Sequence, residues 1–156
     1  MIRNKVKEYQ EAPISHRLVM EMLEEYNRPN DKISELLKSG HLISLRRGLY
    51  VPGPELDLQT PDSLLIANHL RGPSYISLET ALSYWGMIPE KVYEISSATL
   101  KTTKTYSNPI GRFSYQHIAF PYYSFGLKSI RLTPQQTVLI ASKEKALCDK
   151  IILTSG

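Results

Sequence analysis

Cysteine is nearly absent: Cys148 is the only one in 156 residues. A lone thiol excludes an internal disulfide framework and any cysteine-rich zinc module. On an apolar helical stretch with no activating base nearby, it is expected to be buried and inert. There is no Walker lysine loop, no glycine-rich dinucleotide fingerprint and no G-x-S-x-G elbow, so the phosphate-cradling and acyl-transfer designs built on those strings are excluded. The longest aliphatic runs, residues 64–67 and 138–141, fall far short of the roughly 20 residues a membrane helix needs. The opening MIRNKVKEYQE is charged and has no apolar h-region, so it is no secretory signal. These absences together predict a cytoplasmic protein with no membrane partner.

Metal and catalytic constellations are missing as well. His16, His41, His69 and His117 stand on four different elements without ligand-like spacing. Ser142-Lys143-Glu144-Lys145 reads as a capped, charged helix start rather than a catalytic string. A metal nuclease needs clustered carboxylates, and residues 95–143 contain no Asp or Glu at all. The expectation is a protein that is not an enzyme, with no cofactor, metal or small-molecule substrate.

What is present is an ordinary globular composition, 42% hydrophobic and 22% charged, in a length suited to one domain or two small ones. Tyrosine dominates the aromatics, ten against three Phe and one Trp, and its apolar ring with a polar tip suits half-buried surfaces. The net charge is +4, from 19 Lys and Arg against 15 Asp and Glu. Its distribution is uneven. Residues 28–53 hold five basic side chains against two acids, a net +3, and residues 95–143 hold six basic side chains with seven aromatics interleaved. Two positive patches suit a polyanion, or two solvated faces balanced by acids elsewhere in the fold.

The first fifty residues carry helical periods. Ile2, Val6 and Tyr9 mark one face of a short helix ended by Pro13. Ser15 can cap a second, with Leu18, Val19, Met22, Leu23 and Tyr26 as its stripe. Asn27-Arg28-Pro29 breaks the pattern, Asn30 is expected to cap a third helix facing Ile33, Leu36 and Leu37 inward, and Gly40 stops it. The period then changes. Residues 41–45 and 49–51 are β-compatible around a turn at Arg46-Arg47-Gly48. Three short helices and a basic hairpin predict a winged helix-turn-helix, whose third helix enters the major groove while the wing follows the backbone. Candidate DNA contacts are Arg46 and Arg47 on the wing, Lys32, Ser34 and Lys38 on the third helix, and Arg28 and Asn30 at its N-terminus, where backbone N–H groups also favour phosphate. Glu35, mid-helix, repels phosphate and helps only by accepting from a cytosine amino group.

Residues 54–60 are expected as a linker, and Thr60-Pro61-Asp62 as a helix start. That helix runs to Gly72-Pro73; Ser77 caps another, with Leu78, Ala81, Leu82 and Trp85 inward and residues 73–76 as a tight joint. Strands are expected over 92–100, 112–120, 128–132 and 137–141, with 133–136 as a turn. Ser142 opens a last helix containing Ala146, Leu147, Ile151 and Ile152. It stops abruptly at Leu153-Thr154-Ser155-Gly156, which predicts a chain shortened at its C-terminus.

The run GPSYISLETALSYWGMIPEKVYEISSAT, residues 72–99, resembles the signature of AbiEi-family antitoxins of type IV toxin–antitoxin systems. Arg46-Arg47-Gly48-Leu49-Tyr50-Val51 is similar to the family's winged-helix ending, Gly111-Arg112-Phe113-Ser114-Tyr115 to its strand pair, and residues 141–149 to its closing helix. The resemblance covers nearly the whole chain in order. It implies a DNA-binding repressor of its own operon, with a C-terminal domain that neutralises a nucleotidyltransferase-like toxin without a stable complex. The signature's Tyr75, Leu78, Leu82, Tyr84 and Trp85 are read as core of the second domain.

The expected fold class is α+β: a winged helix-turn-helix over residues 1–53, the linker 54–60, and a small mixed α/β antitoxin-type domain over 61–156. Double-stranded operator DNA is the expected partner. The alternative is a protein-interaction module whose basic second domain binds an acidic partner through Lys101, Lys104 and Arg112, a surface that could equally meet nucleic acid.

Overall fold

The computed structural model describes residues 2–154. Among them are six α-helices, a three-stranded antiparallel sheet and a six-stranded mixed sheet. The chain divides into two units, Met1–Asp62 and Ser63–Gly156. No helix among the described residues is long and apolar enough to cross a membrane. Ser155 and Gly156, on which the expectation about the chain's end rests, lie outside the described residues.

In the first unit, α1 (Ile2–Lys7) buries Val6. Tyr9 falls beyond the helix and is exposed, contrary to the expected stripe. Strand β1 (Ile14–Ser15) leads into α2 (His16–Met22), where Ser15 Oγ accepts the Leu18 N–H at 3.2 Å and so satisfies one of the helix's orphan donors. Tyr26, expected on that stripe, is exposed because α2 stops at Met22 and the chain turns, Tyr26 N–H bonding Leu23 O at 3.0 Å. Helix α3 (Pro29–Lys38) starts on Pro29 with Arg28 at the cap position and no side-chain cap. Asn30 is therefore not the cap. A proline at the first helical position needs no acceptor for its nitrogen and presets φ, so the helix begins one residue before a side-chain cap could act.

The helix ends in a Schellman arrangement. Gly40 at φ 81° lets His41 N–H reach Leu36 O at 3.0 Å and its own N–H reach Leu37 O at 3.4 Å. Strands β2 (Leu42–Arg46) and β3 (Leu49–Pro52) form the expected hairpin, and the short β1 pairs with β3, giving the order β1-β3-β2. Residues 54–60 do not all lie free as a linker: Pro54–Leu56 makes one 3-10 turn, and Leu56 is buried with Val6, Val19, Leu23, Ile33, Leu36 and Tyr50. Each such aliphatic side chain is worth about 1.5–3 kcal/mol of burial.

In the second unit, α4 (Ser63–Leu70) begins at Ser63, two residues after Pro61, which stays outside the helix. The expected joint at 73–76 contains instead strand β4 (Ser74–Ile76), all three residues buried, in the middle of the sheet. Helix α5 (Leu78–Tyr84) follows, then β5 (Ile95–Thr99), β6 (Lys104–Asn108), β7 (Gly111–His117), β8 (Leu127–Thr133), β9 (Gln136–Ala141) and α6 (Lys143–Thr154). The sheet order is β6-β7-β5-β4-β9-β8, with β4 antiparallel to β5 and parallel to β9. Residues 133–136 do turn between strands, and β6 is a strand the sequence did not announce. The first expected strand is shorter, because residues 92–94 stay outside the sheet.

Polar clips hold these layers together. The Asn68 amide donates to Leu139 O at 3.2 Å and accepts the Leu139 N–H at 2.7 Å, tying α4 to β9. Trp85 Nε1–H donates to Ala141 O at 2.8 Å, so Trp85 is half-buried at the end of α5, while Tyr84 is exposed rather than core. Helix α6 presents its polar side inward: Lys145, Ala146 and Asp149 are buried, whereas Leu147, Cys148, Ile151 and Ile152 are exposed. The exposed Cys148 corrects the expected buried thiol. The reason is specific bonding. Asp149 Oδ2 accepts Tyr75 O–H at 2.8 Å and Ser77 O–H at 2.7 Å, Lys145 Nζ lies 3.0 Å from Asp149 Oδ1, and Lys145 also donates to Tyr122 O. A buried carboxylate so compensated orients the helix more strongly than a few apolar side chains can.

Candidate nucleic-acid interface

The turn Arg47-Gly48 projects from β2 and β3, with Gly48 at φ 82° as a tight reversal requires. It is braced rather than free. His16 N–H donates to Gly48 O at 3.0 Å, β1 pairs Ser15 with Leu49, and His16 Nδ1 lies 3.3 Å from the Tyr50 hydroxyl. The start of α2 therefore holds the hairpin tip, and it brings Arg17 beside a residue bonded to the turn. Sequence reading missed Arg17, because a two-residue strand leaves no periodic signal.

Arg47 is exposed, and its guanidinium has no partner among the described residues. Arg46 is half-buried in β2 and donates from Nη1 to Arg47 O at 2.9 Å, next to the tip. On α3, Asn30, Asp31, Ser34, Glu35 and Lys38 are exposed. Asp31, Ser34, Glu35, Lys38 and Ser39 line an open depression of about 510 Å³. Two carboxylates and one ammonium make its lining acidic on balance.

The cations at the flanks are locally occupied. Arg28 pairs with Asp31 at 3.5 Å, its side chain 84% exposed, and Lys32 pairs with Glu35 at 3.3 Å. Such exposed i,i+3 pairs contribute only about 0.2–1 kcal/mol, so a phosphate can displace the acid from Arg28. Lys32 is different: its side chain is 23% exposed and its ammonium stands 5.2 Å from the Tyr26 ring centre. That contact holds it against the protein. Lys38 has no acidic partner among the described residues.

The acid-free stretch 95–143 does not become one patch. Lys104 lies on β6 and Lys128 and Arg131 on β8, the two opposite edges of the sheet. Five strand spacings of about 4.8 Å put those edges about 24 Å apart. Arg112 is not free, since its Nε donates to Glu94 Oε1 at 2.6 Å, an acid supplied from just before the stretch. Lys128 stands 5.5 Å from the Trp85 ring, and Lys104 4.8 Å from that of Tyr106. A lysine on an edge strand also guards against strand-to-strand association. Lys101 has an exposed ammonium with no partner among the described residues.

The Tyr75 phenol is pushed far above its ordinary range by burial first and then by its bond to Asp149, so it stays protonated. Among the described residues there is no group of three His, Cys, Asp or Glu able to hold a metal ion. No protein-family model matches the chain and no curated protein matches it in sequence, so its function has to be read from these residues and their geometry.

Proposed function

We propose that the chain is a DNA-binding transcriptional repressor, the antitoxin of a type IV toxin–antitoxin system, acting on its own operon and counteracting a nucleotidyltransferase-like toxin. The element order of the first unit supports a winged helix-turn-helix: helix, short strand, two helices, then a hairpin closed onto the short strand in the order β1-β3-β2. In that design α3 enters the major groove and the hairpin tip meets the backbone. The string resemblance of residues 72–99 to AbiEi-family antitoxins supports the antitoxin role of the second unit. A stable complex with the toxin is not part of the proposal.

The observation that carries the reading is the braced wing, with an unpartnered Arg47 at its tip and Arg46 beside it. The backbone that carries both arginines is set before DNA arrives, so binding need not order the turn itself. On α3, Asn30, Ser34 and Lys38 face outward where base edges lie, Arg28 stands at the helix N-terminus, and Glu35 suits a cytosine amino group.

The test is fluorescence anisotropy on the DNA upstream of this gene across a salt series. Replacing Arg46 and Arg47 together with alanine is expected to lower the salt slope by about one to two units. An unchanged slope removes the wing from the interface. The second reading, an acidic protein partner for the second unit, is favoured by the unpaired Lys101. Charge reversal at Lys101 and Lys104 that abolishes toxin neutralisation while leaving operator binding intact supports it.

A further inference from the structure

Within the second unit, Arg71, Leu100, Lys101, Thr102, Thr103 and His117 line an open depression of about 500 Å³ without a single carboxylate. Its oxygen acceptors each already take a hydrogen bond. Thr102 Oγ1 accepts from Arg71 Nη2 at 2.8 Å, and Thr103 Oγ1 accepts the His117 backbone N–H at 3.1 Å. Thr102 O accepts from Arg71 Nε at 3.1 Å, and Lys101 O stands 3.0 Å from His117 Nδ1. A carbonyl only accepts, so Nδ1 carries the proton.

The charged and strongest groups that remain unspent are donors. The two threonine hydroxyl protons are free, two of the five guanidinium N–H groups of Arg71 are beyond its bonds to Thr102 and Tyr106, and the Lys101 ammonium has no partner among the described residues. A lining of donors and positive charge, with the guanidinium already held by Thr102 and Tyr106, is complementary to a tetrahedral oxyanion. From this polarity we infer that the second unit carries a phosphate-binding site formed by Arg71, Lys101, Thr102 and Thr103, with His117 as its wall. The phosphate belongs either to a nucleic-acid backbone or to a free phosphate or phosphomonoester. The inference does not depend on the operator reading.

The experiment is a ¹H–¹⁵N NMR titration of the full chain, at constant ionic strength against sodium chloride. The probes are inorganic phosphate, a single-stranded hexathymidylate lacking terminal phosphates, and hexaglutamate. Saturable shifts confined to Arg71 Nε–H and the amides of Thr102, Thr103 and His117 are expected. Replacing Lys101, whose side chain holds nothing in place, with alanine is expected to weaken binding about tenfold while leaving the spectrum dispersed. Saturation by both phosphate probes identifies the backbone source, and saturation by inorganic phosphate alone identifies the free source. No saturation, shifts unaltered by Lys101→Ala, or an equal response to hexaglutamate overturns the inference. Operator binding, measured on the same samples through the wing, reports separately on the first unit.

Discussion

Among the described residues every buried polar or charged side chain, from Ser74 to Asp149, lies in the second unit, while the first unit's core is Val6, Ile14, Val19, Met22, Leu23, Ile33, Leu36, Leu42, Tyr50 and Leu56. The first unit is thus held by non-directional burial, which tolerates changes of shape at constant volume. The second depends on directed bonds, where one missing atom leaves a partner stranded. Their exposed charges differ too. Cations on α2 and α3 mostly have an acid one turn away, as in Arg17–Glu21, Arg28–Asp31 and Lys32–Glu35, whereas those of the acid-free stretch are spread over opposite sheet edges.

The sharpest way to break this contrast is Asp149→Asn. It strands Lys145 beside Tyr122 O in a buried site, and a loss of about 3–5 kcal/mol is expected in the second unit. Trp85, the only tryptophan, lies in that unit and reports its urea transition by fluorescence. A loss below about 1 kcal/mol shows that the bonded pair is not what holds α6. A matched pair of mild changes sharpens the point. Tyr75→Phe removes one hydroxyl from Asp149 and is expected to cost about 1–3 kcal/mol. Leu36→Met, equally buried in the first unit, is expected to cost less than about 1.5 kcal/mol. Circular dichroism melts of both variants decide it, and equal losses erase the distinction.

Acid tests the surface of the second unit. Burial raises the Glu79 carboxyl, but its bond to Lys150, a backbone bond and the Lys150 charge outweigh that and leave it below its ordinary 4.5. A depressed carboxyl stabilises the fold above its unfolded value and loses that contribution as pH falls through the lower folded one. Lys150→Met is therefore expected to lower stability slightly at pH 7 and to flatten its decline below about pH 4.5, as followed by melts across pH. The smallest effect belongs to Ile151, 64% exposed on α6. Ile151→Gln is expected to shift stability by no more than about 0.5 kcal/mol; a larger loss in urea unfolding gives that side chain a packing role.

What could be read from the sequence follows the same division. In the first unit the stripe Val19, Met22, Leu23, the cap at Ser15, the stop at Gly40 and the basic hairpin were all visible, since amphipathic helices and turn glycines leave local marks. The two-residue β1 left none, so the brace on the wing and the place of Arg17 came only with the structure. In the second unit, Ser74–Ile76 is too short and too uniformly buried to show alternation, and Lys104–Asn108 too polar, so a central and an edge strand were both hidden. Helix α6 misled most. Its apolar residues suggest one face, but the tertiary bonds of Asp149 select the other. The candidate site divides likewise: Arg46 and Arg47 announced themselves, whereas Arg71 and His117 gain a shared depression only through the pairing of distant strands.

One consequence of the three-residue strand β4 concerns the order in which the protein takes shape during synthesis. Its two neighbours arrive at different times. Ile76 pairs with Ser97 early but with Ile140 only late, and Tyr75 waits for Asp149, 74 residues further along the chain. The first unit closes within its own 62 residues and can fold while the rest is still being made. The second has no complete centre until β9 and α6 have left the ribosome. At about 5–20 residues per second, several seconds therefore separate a finished first unit from a finished second one.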